Sequence, residues 1–486
     1  KSNGKRVVII GGGYGGLTAA KYIRKGIHMT RRDLFKVAGV TAASAVVTGC
    51  TASTGVSTPN TQGATNTLMP KSNGKRVVII GGGYGGLTAA KYIRKGDKTT
   101  EVVVLEKKDI FMSCPFSNAL LGGMEDVSLD TLTHDLYSGA QAHGYHMIQT
   151  EVTAINRGSK VVTTSKGTID YDILVMSPGI AYNYEDQFKG WDANKIADIQ
   201  QNAPAALMPG SEHLALKRQL ENMDDGDVII TKPAGKYRCP PAPFERACMI
   251  ASYMEKEGIK GKVIILNENK SVAKGKAFKE AWKELYGKRI IHMTNCNIDD
   301  VDMDKKEVHF TQKDSLGDTK KRSHKFQVLN LIPHNKANPV VEMSGVETTT
   351  SFGKVVMNGC SFQTKSDKNV YAIGDVVGHA IPPSGQTANW AAKEAASEIV
   401  AQLNGKAHTL GVKAKTVNAG NVCYSMVGDK PESAIMVTHD FSWTGKVIKG
   451  KGNVPKPKDG KGKFRSKNVA KATREWYRGI VSDLFA

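Results

Sequence analysis

"VVIIGGGYGG", residues 77–86, decides how the rest of the chain is read. Four consecutive β-branched residues, Val77 to Ile80, suit a strand buried on both faces. Gly81, Gly83 and Gly86 then fit G-x-G-x-x-G. Glycines at that spacing let the backbone turn tightly and bring its N–H groups against a pyrophosphate at a helix N-terminus. The helix is expected over Leu87–Arg94, and a second strand over Val102–Leu105. That strand ends at Glu106, 20 residues past Gly86, where a carboxylate bonds a ribose hydroxyl. A glycine turn without a ligand is the plainer alternative. Strand, glycines, helix, strand and acid in register favour a dinucleotide site in an α/β fold.

The chain has 486 residues, 40% hydrophobic and 23% charged, enough for two or three packed domains. With only 17 prolines, long disordered tracts are not expected. No run of 18 apolar residues predicts a membrane span. Net charge is +21, and residues 71–486 keep 58 basic and 45 acidic side chains. Such a surface attracts anionic substrates, acidic proteins or lipid headgroups. It carries no nucleic-acid motif.

Residues 1–26 recur letter for letter at 71–96, so residues 1–28 read as an artefactual duplication. Between the copies, Arg31-Arg32-Asp33-Leu34-Phe35-Lys36 and a small-residue apolar run read as a twin-arginine export signal and linker, 29–70. That predicts a periplasmic protein exported folded around its cofactor. Cys50, after Val47-Thr48-Gly49, fits a lipoprotein cleavage box or a plain signal cut nearby.

Further along, Val370–Ile373 followed by Gly374-Asp375 resembles the second FAD fingerprint of two-dinucleotide-fold flavoproteins. In those proteins the aspartate bonds the ribityl chain. Asp172–Gly179 resembles their middle fingerprint. The expected fold is therefore two Rossmann-like domains of the FAD-dependent disulfide-reductase type plus a C-terminal interface domain. The FAD domain is expected in two pieces, 71–185 and 326–408. A second βαβ domain falls at 186–325, and an electron-transfer and partner-interface domain at 409–486.

The second βαβ region begins at Asp227–Ile230 and should carry a glycine-rich turn if it bound a nicotinamide nucleotide. It carries "RCPPAPFERA", residues 238–247, instead. Pro240 and Pro241 have no N–H to offer a pyrophosphate. The loop has lost nucleotide binding and gained a thiol. Cys239, at a helix start and near Arg238 and Arg246, is expected to have a lowered pKa. It reads as a redox sulfur or as a small hydrophobe in a rigid turn.

"CPFSNALLGG", "RCPPAPFERA", "LNLIP", "VYAIGD", "PPSGQTAN", "NVCYS" and "EWYRGIVSDLF" occur in an order and spacing that resemble the flavoprotein subunit of flavocytochrome c sulfide dehydrogenase. That family is related to the sulfide:quinone oxidoreductases. The resemblance implies FAD bonded through Cys114, a redox disulfide involving Cys239, a nearby Glu245, and Trp476 close to the flavin. For the second disulfide cysteine it implies a position shortly ahead of Gly374-Asp375. Gap-free counting puts Val355 there, and Cys360 stands five residues later, in "MNGC". A bulge at Asn358-Gly359 would bring Cys360 to Cys239. Otherwise the disulfide is absent.

Cys248 is expected in the core. Cys296 and Cys423 show no motif spacing, although Cys423 matches a family position. No C-x-x-C occurs, so neither a zinc ribbon nor a c-type haem site is encoded. His379, just past Asp375, reads as a loop histidine or a proton carrier near the flavin. The implied activity is oxidation of hydrosulfide at Cys239, with Glu245 managing protons and electrons leaving through FAD to a c-type cytochrome on another chain. The alternatives are a membrane-associated sulfide:quinone oxidoreductase and a non-catalytic sulfur-carrier or electron-transfer flavoprotein.

Overall fold

The strand that opens the quoted stretch lies at the centre of a five-stranded parallel sheet. The computed structural model describes residues 66–406 and 416–486. The duplicated segment, the twin-arginine stretch and Cys50 lie outside the described residues. Strand β1 (Arg76–Ile80) leads into helix α1 (Tyr84–Gly96), and β2 is Glu101–Glu106. β3 (His146–Gln149) and β4 (Ile173–Met176) extend the sheet on its two sides. All of β1 is buried, as an uninterrupted β-branched run between two helical layers must be.

The second sheet begins at β5 (Val228–Lys232), followed by helix α2 (Ala242–Lys256) and β6 (Val263–Asn267). Helix α3 (Gly275–Ala281) then precedes β7 (Ile290–Thr294) and β8 (Val328–Asn330). The order β7-β6-β5-β8 is parallel throughout. The chain then returns: β9 (Val370–Ala372) pairs in parallel with β4, completing the first sheet as β9-β4-β1-β2-β3. Helix α4 (Gly385–Leu403) follows.

A three-stranded antiparallel sheet follows: β10 (Thr416–Gly428), β11 (Ser433–Trp443) and β12 (Ile448–Asn453). Helix α5 (Lys467–Phe485) ends the chain. Its apolar side, Val469, Ala470, Tyr477, Ile480 and Leu484, is buried. Among the described residues no helix is long and apolar enough to cross a membrane.

Candidate functional site

The carboxyl ends of the first sheet's strands open into a broad cavity, and the glycine loop forms one wall. Gly81 has φ +105°, and a Cβ there would sit 2.3 Å from the Ser177 carbonyl oxygen. A Cβ on Gly86 would sit 1.8 Å from the Gly81 oxygen. A Cβ on Gly83 would meet no atom within 4 Å. Gly81 and Gly86 are therefore demanded by the protein's own backbone, whereas Gly83 faces open space. Helix α1 starts behind this loop with no side-chain cap and no acidic residue in its first turn, leaving its N–H groups free of side-chain partners. Gly82 donates to Glu106 Oε2 at 2.6 Å, which holds the carboxylate at the cradle's rim. A pyrophosphate and ribose fit this arrangement.

The corresponding place in the second sheet is filled by the protein itself. Glu268 stands just past β6, much as Glu106 stands at the end of β2. Its carboxylate accepts hydrogen bonds from Ala234 N at 2.5 Å and Gln187 Nε2 at 2.8 Å, and it pairs with His334 Nε2 at 2.7 Å. The Phe352 ring lies about 3 Å from where a Cβ on Gly235 would stand. Prolines, a ring and a saturated carboxylate leave this turn nothing for a nucleotide.

The "RCPP" turn points its thiol back toward the first sheet. Cys239 adopts a left-handed φ of 54°, unusual for a side chain with a Cβ. Its N–H donates to the Pro383 carbonyl at 3.0 Å, and its carbonyl accepts from Ala242 at 2.8 Å. Arg238, one residue earlier, donates from Nε to Asp375 Oδ2 at 2.6 Å. The FAD-fingerprint aspartate is thus held from the second domain.

Cys114, Cys239 and Cys423 all line the one cavity, with Glu245, Arg246, Gly374, Asp375 and Trp476. Cys114 arrives after a short strand, Ile110–Met112, and its carbonyl accepts from Ser117 at 3.0 Å. Cys423 arrives on β10. Trp476 arrives on α5, donating from Nε1 to Gln386 at 2.7 Å and packing 5.8 Å from the Tyr424 ring. Glu245 lies in the first turn of α2, 9% exposed, and accepts from the Met426 N–H at 2.9 Å. That bond ties α2 to β10 three residues beyond Cys423. Arg246 is fully buried and donates to Asn118, Asn330 and the carbonyls of Ala205 and Ala206.

Two expectations are corrected here. Cys360 is not in this cavity: it is buried in a separate apolar cluster with Ile381, Phe441 and Ile448. Asn358-Gly359 does form a turn, but as the tip of a hairpin in which Asn358 N donates to Gln363 O at 2.9 Å. That hairpin carries Cys360 into this cluster, outside the cavity that Cys239 lines. Val355, the position found by counting, is fully buried beside Val376 and Val377.

The second correction concerns ionisation. The Cys239 thiol is pushed well above its ordinary range, first by burial, then by Cys114, Cys423 and Glu245, with Lys274 opposing. Cys239 lies ahead of Pro241, the N-cap of α2, so helix-end stabilisation is outweighed by lost solvation. Burial also raises Cys114, against Arg238 and Arg246, and Glu245, against Lys274.

The remaining residues sort by burial. Cys248 and Cys296 lie in apolar cores. His379 borders a smaller neighbouring pocket, donates from Nε2 to the Gly359 carbonyl at 3.2 Å, and is pushed down to about 4 by burial. Sequence reasoning missed Cys423 as a site residue. The signal was present in "NVCYS", a stretch that carries the family resemblance yet contains no spacing motif of its own.

Two Rossmann-like sheets, a single dinucleotide cradle and a thiol turn in place of the second define an FAD-dependent oxidoreductase of the disulfide-reductase type. Residues 75–205 match the pyridine nucleotide-disulphide oxidoreductase model. Residues 213–333 match "Sulfide dehydrogenase (flavocytochrome c) flavoprotein chain, central", and residues 416–485 match the flavocytochrome c sulphide dehydrogenase flavin-binding model. The chain belongs to the flavocytochrome c sulfide dehydrogenase flavoprotein family, within the sulfide:quinone oxidoreductase-like superfamily. It is 54% identical over 46 residues to the sulfide dehydrogenase (flavocytochrome c) flavoprotein chain of Chlorobaculum thiosulfatiphilum, covering 10% of this chain and 96% of that sequence. It is 25% identical over 316 residues to the mitochondrial sulfide:quinone oxidoreductase of Mus musculus, covering 64% of this chain and 67% of the relative. The structure of the sulfide:quinone oxidoreductase from Aquifex aeolicus shares the fold, with TM-score 0.63 and 19% identity over 85% of this chain and 91% of that one.

Proposed function

We propose that this chain is the flavin-bearing subunit of a periplasmic sulfide dehydrogenase, which oxidises hydrosulfide to sulfane sulfur and passes the electrons to a c-type cytochrome. The observation that carries this reading is the meeting of Cys114, Cys239 and Cys423, from three distant segments, in the cavity that also holds the glycine cradle. FAD is held by the Gly81–Gly86 loop, Glu106 and Asp375, with Trp476 at the same cavity and Cys114 as its covalent tether. When bound, it supplies a two-electron acceptor that can release electrons singly.

Cys239 and Cys423 are the redox pair. Hydrosulfide attacks the Cys239 sulfur of their disulfide, giving a Cys239 persulfide and a Cys423 thiolate. A second hydrosulfide takes the outer sulfur as HSS⁻ and leaves the Cys239 thiol. Re-forming the disulfide releases two electrons and one proton, so two HS⁻ yield one HSS⁻, one H⁺ and two electrons. Glu245, a buried carboxyl with a raised pKa, exchanges the proton at Cys239. The inward-facing apolar side of α5 leaves no membrane-binding stripe there, which favours a soluble cytochrome over a membrane quinone as acceptor. The chain has no haem-attachment motif, so the haem belongs to another chain.

Anaerobic sulfide should bleach the flavin absorption and reduce added cytochrome c, whereas NADH should do neither. Cys239→Ser and Cys423→Ser should each lose sulfide-dependent reduction, with Cys360→Ser within twofold of wild type. Full turnover by Cys423→Ser together with an inactive Cys360→Ser would overturn the assignment.

A further inference from the structure

Behind the thiol cavity lies a buried cation that the chemistry above does not use. Lys274 is 8% exposed, with a left-handed φ of 58° at the N-cap of α3. Its Nζ donates to Ser425 Oγ at 2.9 Å, and Ser425 is fully buried. Among the described residues no carboxylate lies within ion-pair distance of that ammonium. One neutral hydrogen bond does not offset the desolvation of a buried ammonium. An anion nearby would.

Ser425 and Cys423 alternate along β10 with no bulge between them, so both point to the same face of the sheet. The lysine's one hydrogen-bond partner thus stands two residues from the redox thiol, on its side of the strand. Glu245 reaches the same strand at Met426. Lys274 is held against the sulfur site from α3, as Glu245 is from α2.

We propose that Lys274 is the positioning cation of the thiol site: fixed by Ser425, it holds negative charge on the sulfur of Cys239 within a buried cavity. The ionisable groups whose charge acts on Cys239 are Cys114, Cys423, Glu245, Lys274, Arg246 and Tyr237. The first three oppose a thiolate. Tyr237 spends its hydroxyl hydrogen on the Pro240 carbonyl. The Arg246 guanidinium is directed to two asparagines and two carbonyls. Against burial, which raises the Cys239 thiol and the Glu245 carboxyl, Lys274 opposes both, with Arg246 a weaker contributor at Glu245; at His439 on β11 it adds to the lowering that burial causes. The consequence, that Lys274 eases loss of the Cys239 proton when the disulfide re-forms, rests on the sulfide reading. The ionisation itself does not.

The test uses the full, flavin-loaded chain, reduced with a phosphine, without sulfide. The alkylation rate of Cys239 by iodoacetamide is followed from pH 6 to 10.5 by mass spectrometry of its peptide. Lys274→Met should slow alkylation at pH 9 about tenfold, one unit of thiol pKa. Lys274→Arg should restore most of the rate, because it keeps the charge. Ser425→Ala, which releases the ammonium but keeps it, should slow alkylation about threefold and decides the matter if Lys274→Met does not fold. Wild-type profiles in Lys274→Met and Ser425→Ala would overturn the proposal, as would a Lys274→Arg profile as slow as that of Lys274→Met. Loss of sulfide turnover would not bear on the alkylation profile, so the two readings fail separately.

Discussion

Adding one carbon at a time separates the glycines the fold needs from the glycine the cofactor needs. At Gly86, alanine would place Cβ 1.8 Å from a backbone oxygen, against 3.4 Å for ordinary contact. Strand β1 and helix α1 would have to part by more than an ångström, and neither atom belongs to a flexible side chain. Overpacking typically costs about 1–3 kcal/mol, and a rigid backbone contact falls at or above the top of that range. The unfolding midpoint should drop by roughly 6 °C or more, at about 2–4 °C per kcal/mol. At Gly83 the backbone is extended (φ −86°, ψ −168°) and a Cβ meets nothing. Gly83→Ala should therefore leave the cofactor-free chain within about 1 kcal/mol of wild type, or slightly above it. It should lose at least about tenfold in FAD affinity, about 1.4 kcal/mol, because the free space is the cofactor's. Thermal unfolding of cofactor-free protein and flavin-to-protein absorbance ratios after reconstitution measure the two effects. A Gly83→Ala protein with full flavin affinity, beside a Gly86→Ala protein of unchanged stability, would refute the reasoning.

Glu398, buried on α4 and accepting from Phe362 N at 3.3 Å, is raised from 4.5 to about 8 by burial. The native state keeps its proton where the unfolded state has lost it, so stability is full below about 4.5 and declines as pH rises toward 8. The effect is about 5 kcal/mol, and the wild-type unfolding midpoint should fall relative to Glu398→Gln between pH 5 and 8. Parallel curves would reject it. For Cys114, denaturing gels should show a fluorescent flavin band in wild type and none in Cys114→Ser. Complete release of flavin from wild type by acid precipitation would exclude the covalent bond.

The sequence by itself determined the parts whose physics is local. A β-branched run, glycines at fixed spacing and an acid at the next strand's end are short-range demands. They appear as β1, the Gly81–Gly86 cradle and Glu106 in place. The prolines at 240 and 241 likewise announced a turn unable to hold a pyrophosphate, whatever packs around it. Only the tertiary structure decided which sulfurs share the cavity with Cys239. Counting along the chain landed on Val355, with Cys360 five residues later, but such an offset says nothing of direction, and the Asn358-Gly359 hairpin turns Cys360 into another cluster. Cys423 comes into the cavity because β10 lies against the start of α2, fixed where Met426 donates to Glu245. The ionisation of Cys239 also belongs to the tertiary level. A helix end and two arginines in sequence favour thiolate, but the solvation lost on burial depends on everything packed around the sulfur, and here that loss outweighs both.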